Sequence, residues 1–200
     1  MENDFRNEIY PKLQKKFEEI FELLELNKRG VPEEHTKDSP RRITKMLLYE
    51  LLDGVYSPPE KYKLTEFAFS RPNDINSTYE IVSIDNIEVK SLCSHHFMPF
   101  FGEAFIAYIP DQKILGLSKF ARIVDYFSRR PQVQEELNKQ IVDFIYEKTQ
   151  PLAVGCLIKA VHTCMRHRGA KSNGEMVTLY VKGQDDIVKK DIEDYLRTKR

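Results

Sequence analysis

Two short stretches of the chain concentrate side chains that could bind a metal ion or move a proton. The first is Cys93-Ser94-His95-His96, and the second runs from His162 through Cys164 to His167. A Cys-x-x-His turn lets a thiolate and an imidazole converge on one borderline-soft ion such as Zn²⁺. One such turn alone is more often chance than a metal site, but two Cys-plus-His clusters in one chain favour the metal hypothesis.

The second stretch is interpreted as the end of a β-strand that runs from Ala153 to Met165. Residues two apart on a strand share a face, so His162 and Cys164 are expected to point the same way. Cys156 has the same parity, but at about 3.3 Å per residue it would lie about 26 Å from Cys164 along a straight strand. Cys156 is therefore excluded as a ligand and interpreted as a small core residue.

If a metal is bound, the donor set Cys93, His96 and Cys164 leaves a fourth coordination position open. Three protein ligands plus water are typical of a catalytic zinc site, whereas a structural zinc site is closed. His95 and His162 would then be available for proton transfer. The alternative is that both histidines are ordinary hydrogen-bonded residues.

Charge is balanced over the whole chain but not along it. The 200 residues contain 31 Lys plus Arg and 31 Asp plus Glu, and this zero net charge argues against bulk binding to nucleic acid or an anionic membrane. From Thr149 to Gly174 there is no acidic residue, which suits a small polyanionic ligand or, alternatively, a strand edge guarded by cations. The cations in this segment are Lys159, Arg166, Arg168 and Lys171.

A second candidate anion site lies where a helix begins near Ser118. Lys119 and Arg122 would stand with free backbone N–H groups at the positive end of that helix. Each cation taken singly is equally compatible with a plain polar face. Glu135, in the first turn of the next helix, could simply favour the helix dipole.

The three cysteines are an odd number, which excludes a fully paired disulfide framework and suits a reducing compartment. The first residues lack a secretory apolar region, and the longest apolar run is too short to span a bilayer. We therefore expect a cytoplasmic protein.

Hydrophobic periodicity predicts grouped helices and strands, which indicates an α+β fold with a largely antiparallel sheet. The first helix has its apolar face from Phe5 to Leu24. A second helix begins with Ser39 as N-cap and Pro40 in its first turn. The buried stripe predicted for this second helix is Ile43, Met46, Leu47, Leu51 and Val55. Later helices are predicted from about 118, from Pro131 to about Thr149, and over 185–200. Strands are predicted over 81–92, 102–109, 153–165 and 176–181.

Several longer motifs resemble the GTP cyclohydrolase I family, in the right order and over about residues 38–183. These motifs are the segments 39–46, 91–102, 107–110, 116–119, 129–135 and 162–169, the last reading His162-Thr163-Cys164-Met165-Arg166-His167-Arg168-Gly169. The resemblance implies a T-fold (tunnelling fold), an antiparallel sheet with two helices, over residues 58–200 with a short helical tail. Residues 1–57 would form an N-terminal helical segment.

The family resemblance also implies an activity and an assembly. Family members are ring-shaped homodecamers, with active sites at subunit interfaces. They hydrolyse GTP at C8 and rearrange it to 7,8-dihydroneopterin triphosphate and formate, the first step of pterin and folate biosynthesis.

By the same resemblance, each candidate residue has a role. Zinc would be held by Cys93, His96 and Cys164 and would activate the attacking water. His95 and His162 would be the acid–base groups, and Ser118 would assist the later rearrangement. Glu135 and Gln134 would bind the guanine, because a carboxylate can accept from N1–H and the 2-amino group. The triphosphate would be bound by Lys119, Arg122 and Arg168, with Arg42 and Lys45 contributed by another subunit.

Two features depart from the family pattern, namely Ser94, where many members carry Glu, and the segment 170–180. Two other functions stay open from sequence. One is a T-fold enzyme that stops at ring opening or uses another purine; the other is a zinc-stabilised scaffold, which would need a closed fourth ligand. A nucleic-acid-binding zinc module is disfavoured by the net charge and the ligand spacing.

Overall fold

The computed structural model describes residues 2–58, 66–69 and 79–199, which divide into two compact units, Met1–Pro58 and Pro59–Arg200. The expectation for residues 59–65 and 70–78, as the start of the T-fold domain, lies outside the described residues. Among the described helices, none combines the length and the apolar character needed to cross a bilayer.

The first unit is entirely helical. The predicted first helix is confirmed as α1 (Glu2–Leu24). It is followed by a 3₁₀ turn (Leu26–Arg29) and the short helix α2 (Glu33–Thr36). The unit continues with α3 (Ser39–Met46), a π-helical turn (Leu47–Leu51) and α4 (Asp53–Tyr56).

A buried ion pair joins the two ends of this unit. The guanidinium of Arg6 lies 2.9 Å from the carboxylate of Asp53 and donates to the Ser57 hydroxyl at 3.0 Å. Ser57 in turn donates to the same Asp53 oxygen at 2.8 Å. Because a buried charge is costly without partners, this network ties α1 to α4.

Two details predicted for α3 are wrong. Asp38, not Ser39, occupies the N-cap position, and it makes no side-chain cap bond. The buried face follows Pro40, Thr44 and Leu48, while Met46 and Val55 are exposed. Thr44 can be buried because its hydroxyl donates to the Pro40 carbonyl at 2.8 Å, and the π-helical turn shifts the side-chain phase beyond Met46.

The second unit contains a sheet of five strands, which are β2 (Val82–Cys93), β3 (Pro99–Ile109), β5 (Pro131–Gln132), β6 (Ala153–His162) and β7 (Met176–Gly183). Their order across the sheet is β5-β2-β3-β6-β7. All neighbouring strands are antiparallel except β2 and β5, which are parallel. A separate pair joins β1 (Glu66–Ala68) to β4 (Lys113–Leu115).

Helices cover both faces of this sheet. On one face, α5 (Leu117–Ser128) and α6 (Gln134–Thr149) form the larger core with inward residues of β2, β3 and β6. On the other face, α8 (Asp186–Arg197) packs Val188, Ile192 and Leu196 onto β3 and β6, and Asp185 caps its N-terminus. The α+β prediction is confirmed, and the order β2-β3-α5-α6-β6-β7 is that of a T-fold.

The structure corrects the prediction at Pro131, which does not start a helix. Pro131 and Gln132 instead pair with Leu92 and Cys93 of β2. The helix begins at Gln134 after Val133 as N-cap, and the Val133 side chain is 39 % exposed. Proline lacks only an N–H, and the edge position of β5 tolerates that loss.

At Gly102, the backbone of β3 lies too close to the backbone of β6 to leave room for a side chain. A Cβ atom there would lie 1.9 Å from the Lys159 carbonyl oxygen, whereas one at Gly174 would meet only side-chain atoms at 3.5 Å or more. We expect Gly102→Ala to lower the free energy of unfolding by about 1–3 kcal/mol, because the backbone must move to admit the methyl group. We expect Gly174→Ala to change the free energy of unfolding by less than about 0.5 kcal/mol from the wild-type value. Urea unfolding at fixed protein concentration checks this, and equal midpoints for the two variants would contradict it.

Candidate active site

The candidate site lies where β2 and β6 end on either side of β3. Phe100 of β3 is paired with Ser91 of β2 on one side and with His162 of β6 on the other. Cys93 is the last residue of β2, and Cys164 follows the end of β6 by two residues. The register therefore brings the two Cys-plus-His clusters to the same end of the sheet.

Cys164 does not lie on a strand, and the prediction that it shares a strand face with His162 is wrong. β6 ends at His162, and the short helix α7 (Thr163–Arg166) carries Cys164. The Thr163 hydroxyl donates to the Pro99 carbonyl at 2.5 Å and holds this turn against the start of β3. A helical turn, not strand parity, therefore directs the Cys164 thiol towards β2.

The first cluster is a tight turn held by backbone hydrogen bonds. The Phe97 N–H donates to the Cys93 carbonyl at 2.8 Å, and the Cys93 N–H donates to the Met98 carbonyl at 2.9 Å. Phe97 has a φ of 53°, a left-handed conformation that is uncommon for a bulky residue. This turn sets the Nδ1 atoms of His95 and His96 at 3.7 and 3.8 Å from the Cys93 sulfur.

Cys93, His96 and Cys164 fit a metal ion. One ligand atom from each lies within 4.8 Å of the others, which suits thiolate and imidazole donors around one cation. Burial, followed by the neighbouring Cys93 thiol, raises the pKa of Cys164, so a cation must displace a thiol proton to bind. Cys156 lies apart in the core, where full burial strongly raises its pKa, in line with its exclusion as a ligand.

A cavity of about 450 Å³ opens beside these ligands. Its size suits a small organic ligand. Acid–base and apolar groups share the wall, which is formed by Cys93, His95, Gln132, Val133, Gln134, Glu135, His162, Cys164, Met165, Glu175 and Met176.

The His162 ring is held in the cavity by two contacts. It is stacked on Phe100, with centroids 4.5 Å apart and planes 9° apart, and its Nε2 lies 2.9 Å from Gln134 Oε1. Burial lowers the pKa of His162, and the nearby Glu135 carboxylate opposes that shift. The imidazole is therefore held in a fixed plane close to a negative charge.

Gln134 and Glu135 begin α6 and differ in exposure. Gln134 is fully buried and hydrogen-bonded within the protein, while Glu135 is exposed towards the cavity. A carboxylate at the start of a helix is also favoured by the helix dipole, as the sequence suggested. The two neighbours therefore present different chemistry to the same cavity.

The cations predicted to bind phosphate are divided among three places. Arg168 lies beside the candidate metal ligands, since its guanidinium is 2.5 Å from His96 Nε2. Ser118, Lys119 and Arg122 begin α5, at the far end from the turn at Arg129 and Arg130 that contacts Ser91. Ten residues of helix separate Ser118 from Ser128, about 15 Å along the axis.

Among the described residues that line the cavity, none comes from the start of α5. Arg42 and Lys45 are exposed on α3 of the first unit. Lys159 does not belong to a cationic cluster with Arg168. Its ammonium lies over the Phe105 ring, on the face covered by α8, and donates to the Lys199 carbonyl.

Several residues in or behind the cavity wall were missed by sequence reasoning. Phe100 stacks under His162, and Met165, Glu175 and Met176 complete the wall. Phe100 stood inside a motif that was already noted, but its contact with His162 depends on a strand register that no local pattern reveals. Glu175 and Met176 fall in the segment 170–180, which departs from the family pattern.

The fold and this site together define a class of protein: a T-fold chain with a Cys–His–Cys group that could bind a metal beside a ligand-sized cavity. The model of the family described as GTP cyclohydrolase I matches residues 13–197. The chain belongs to the GTP cyclohydrolase I family, as its motifs indicated.

Two named relatives agree with this membership. The protein named GTP cyclohydrolase 1 1 of Pseudomonas syringae pv. tomato is 45% identical over 163 residues, which are 80% of this chain and 82% of that protein. GTP cyclohydrolase 1 of Campylobacter jejuni subsp. doylei is 38% identical over 173 residues, 86% of this chain and 87% of its own. A solved structure of an archaeosine synthase QueF-Like in the apo form matches 55% of this chain and 100% of its own, with a TM-score of 0.43 and 18% identity.

The proposed set of metal ligands predicts that substitutions at Cys164 and at Cys156 have different effects on metal binding. We expect Cys164→Ala to weaken zinc binding by at least about 100-fold, since even outer partners of metal ligands contribute about 10–100-fold. The matched variant Cys156→Ala should keep the full metal content, because Cys156 lies in the core. Metal bound per chain after dialysis, measured by elemental analysis, checks this. Full metal retention in Cys164→Ala, or its loss in Cys156→Ala, would reject the ligand set.

Proposed function

We propose that this chain is a zinc-dependent GTP cyclohydrolase I, which hydrolyses GTP at C8 and forms 7,8-dihydroneopterin triphosphate and formate. One observation carries the proposal: the two thiols of the candidate metal site, two histidines and two exposed carboxylates line a single cavity. A scaffold protein would have no task for the two histidines beside an incomplete ligand set.

Cys93, His96 and Cys164 would hold the zinc ion, as three ligands of a site that needs a fourth. Zinc, when bound, supplies Lewis acidity that lowers the pKa of water towards neutrality. Arg168 would contribute positive charge beside these ligands, where a phosphate-bearing substrate benefits from it. The apolar wall of Met165 and Met176 would exclude bulk water from the purine.

His162 and His95 would carry the proton transfers. His162 would give a proton to the guanine ring nitrogen as water adds to C8, because its imidazole is partly buried, stacked and close to Glu135. His95, 3.7 Å from the Cys93 sulfur through Nδ1, would serve the ring opening and the release of formate. Two separate imidazoles allow one to donate while the other accepts.

Glu135 would recognise the guanine. Its carboxylate offers two acceptor oxygens to N1–H and to the 2-amino group, a pattern that adenine cannot match. Gln134 stands beside it on the same wall, where the family pattern also expects a residue of the base pocket.

The triphosphate would be bound across a subunit interface. Lys119 and Arg122, with Ser118, stand at the positive end of α5, which suits an anion. Because α5 begins far from the end of β2, we propose that these residues serve the cavity of a neighbouring subunit, with Arg42 and Lys45 as further partners. In a homodecamer, residues of two neighbouring subunits would meet at each site in this way. Ser118 would assist the later rearrangement.

Two further assignments belong to the same proposal. Residues 58–200 would be the catalytic domain and residues 1–57 an appended helical segment. A cytoplasmic location is supported by the thiols, since Cys93, Cys156 and Cys164 are all free and a reducing compartment preserves them.

The direct test is to incubate the purified protein with GTP and zinc and to follow pterin absorbance and formate. We expect both products to appear together and a chelator to abolish both, with activity restored by zinc. Formate without the pterin product would instead indicate an enzyme that stops at ring opening. No product from metal-loaded protein would reject the proposal.

Glu135 can be tested against its neighbour Glu136, which also begins α6 but does not line the cavity. Glu136 accepts from the Gln140 amide at 3.2 Å on the exposed surface. Glu135→Gln should cost about 1.5–3 kcal/mol for a lost hydrogen bond to a charged group, or roughly 10- to 150-fold in kcat/KM for GTP. Glu136→Gln should match the wild type, and equal losses in both variants would contradict guanine recognition by Glu135.

A further inference from the structure

The orientation of the Gln134 side-chain amide is determined by its surroundings. The amide nitrogen lies 3.0 Å from the Ile158 carbonyl oxygen, 3.1 Å from the Met176 carbonyl oxygen and 3.1 Å from the Thr178 hydroxyl. Carbonyl oxygens only accept hydrogen bonds, so the NH₂ group must face them. The Oε1 atom of Gln134 must therefore face the other way, towards His162.

This orientation decides which nitrogen of His162 carries a proton. His162 Nε2 lies 2.9 Å from Gln134 Oε1, and an amide oxygen can only accept. Nε2 must therefore be the N–H donor, which leaves the lone pair of the neutral ring on Nδ1. The stack on Phe100, with an interplanar angle of 9°, prevents the ring from turning out of this arrangement.

We propose that Gln134 is a positioning residue that fixes His162 as the Nε2–H tautomer and makes Nδ1 the nitrogen that exchanges a proton with the substrate. The inference rests on the proposed function, in which His162 acts on the guanine ring. In that step the Nδ1–H bond of the imidazolium breaks and its electron pair stays on Nδ1. The proton forms a new N–H bond on the purine, while Nε2 keeps its proton and its bond to Gln134.

A direct contact between Gln134 and the guanine is disfavoured by the same geometry. Gln134 is 0 % exposed, and both ends of its amide already have partners in the protein. Freeing either end for a base would leave a buried carbonyl or the His162 ring without its hydrogen-bond partner, which is unfavourable for a buried polar group. Glu135 stays the residue that can reach the base.

The helix offers a matched control at Asn138, one turn further along α6. Asn138 is also buried, and its amide donates to the same Thr178 hydroxyl at 3.1 Å, whereas the amide oxygen that faces His162 Nε2 is that of Gln134. Gln134→Met and Asn138→Leu each replace a buried amide with an apolar side chain of similar size. Only the first removes the acceptor that faces His162.

The first measurement is ¹⁵N magic-angle-spinning NMR of the zinc-loaded protein, labelled in its five histidines. The His162 signals are assigned by their absence from His162→Asn. At a pH where the imidazole is neutral, we expect protonated Nε2 and unprotonated Nδ1 in the wild type and in Asn138→Leu, and a mixture of tautomers in Gln134→Met. Wild-type His162 protonated on Nδ1 would overturn the inference, whether or not any variant folds.

The second measurement is steady-state turnover of GTP. For Gln134→Met we expect kcat to fall by on the order of 100-fold, as for a misplaced catalytic group, with little change in KM, and for Asn138→Leu we expect wild-type values. A raised KM with unchanged kcat would show that Gln134 binds the base instead. If the tautomer responds as expected but no variant or wild-type protein turns over GTP, the proposed function fails and the positioning of His162 stands.

Discussion

The pairing of β3 with β2 on one side and β6 on the other determines where the reactive groups lie. Because Ser91, Phe100 and His162 stand in one row across three strands, the ring of Phe100 supports the imidazole directly. A slip of one residue would carry His162 to the opposite face of the sheet. Gly102 allows the close approach that this register requires, since any side chain there would meet the backbone of β6.

The sheet keeps its two faces chemically separate. The face under α5 and α6 continues into the cavity, where the buried amide of Gln134 hydrogen-bonds to His162 and to the backbone carbonyl groups of Ile158 and Met176. The face under α8 is closed by apolar side chains and by cations at its rim, such as Lys159 over Phe105. The cations of the acid-free segment are thereby divided between two faces of the sheet, with Arg168 beside His96 of the candidate metal site.

Much of this arrangement could be predicted from sequence, because long periodic segments and dense motifs carry strong signals. The helices α1, α5 and α6, the antiparallel strands and the set of Cys93, His96 and Cys164 followed from spacing or from family resemblance. The helical turn at Cys164 and the short strand at Pro131 did not, since segments of two to four residues have no periodicity. The contact of Gln134 with His162 also escaped, because it depends on how α6 lies against β6 and β7.

Cys93 ends β2 and Cys164 follows the end of β6. These two strands share no hydrogen bonds, because β3 lies between them. An ion bound by both thiols would thus also be a cross-link that spans three strands at the end of the sheet. Its contribution to folding grows with the logarithm of the free metal concentration once binding is saturated. This end of the sheet would therefore resist fraying more strongly when the free metal concentration around the protein is higher.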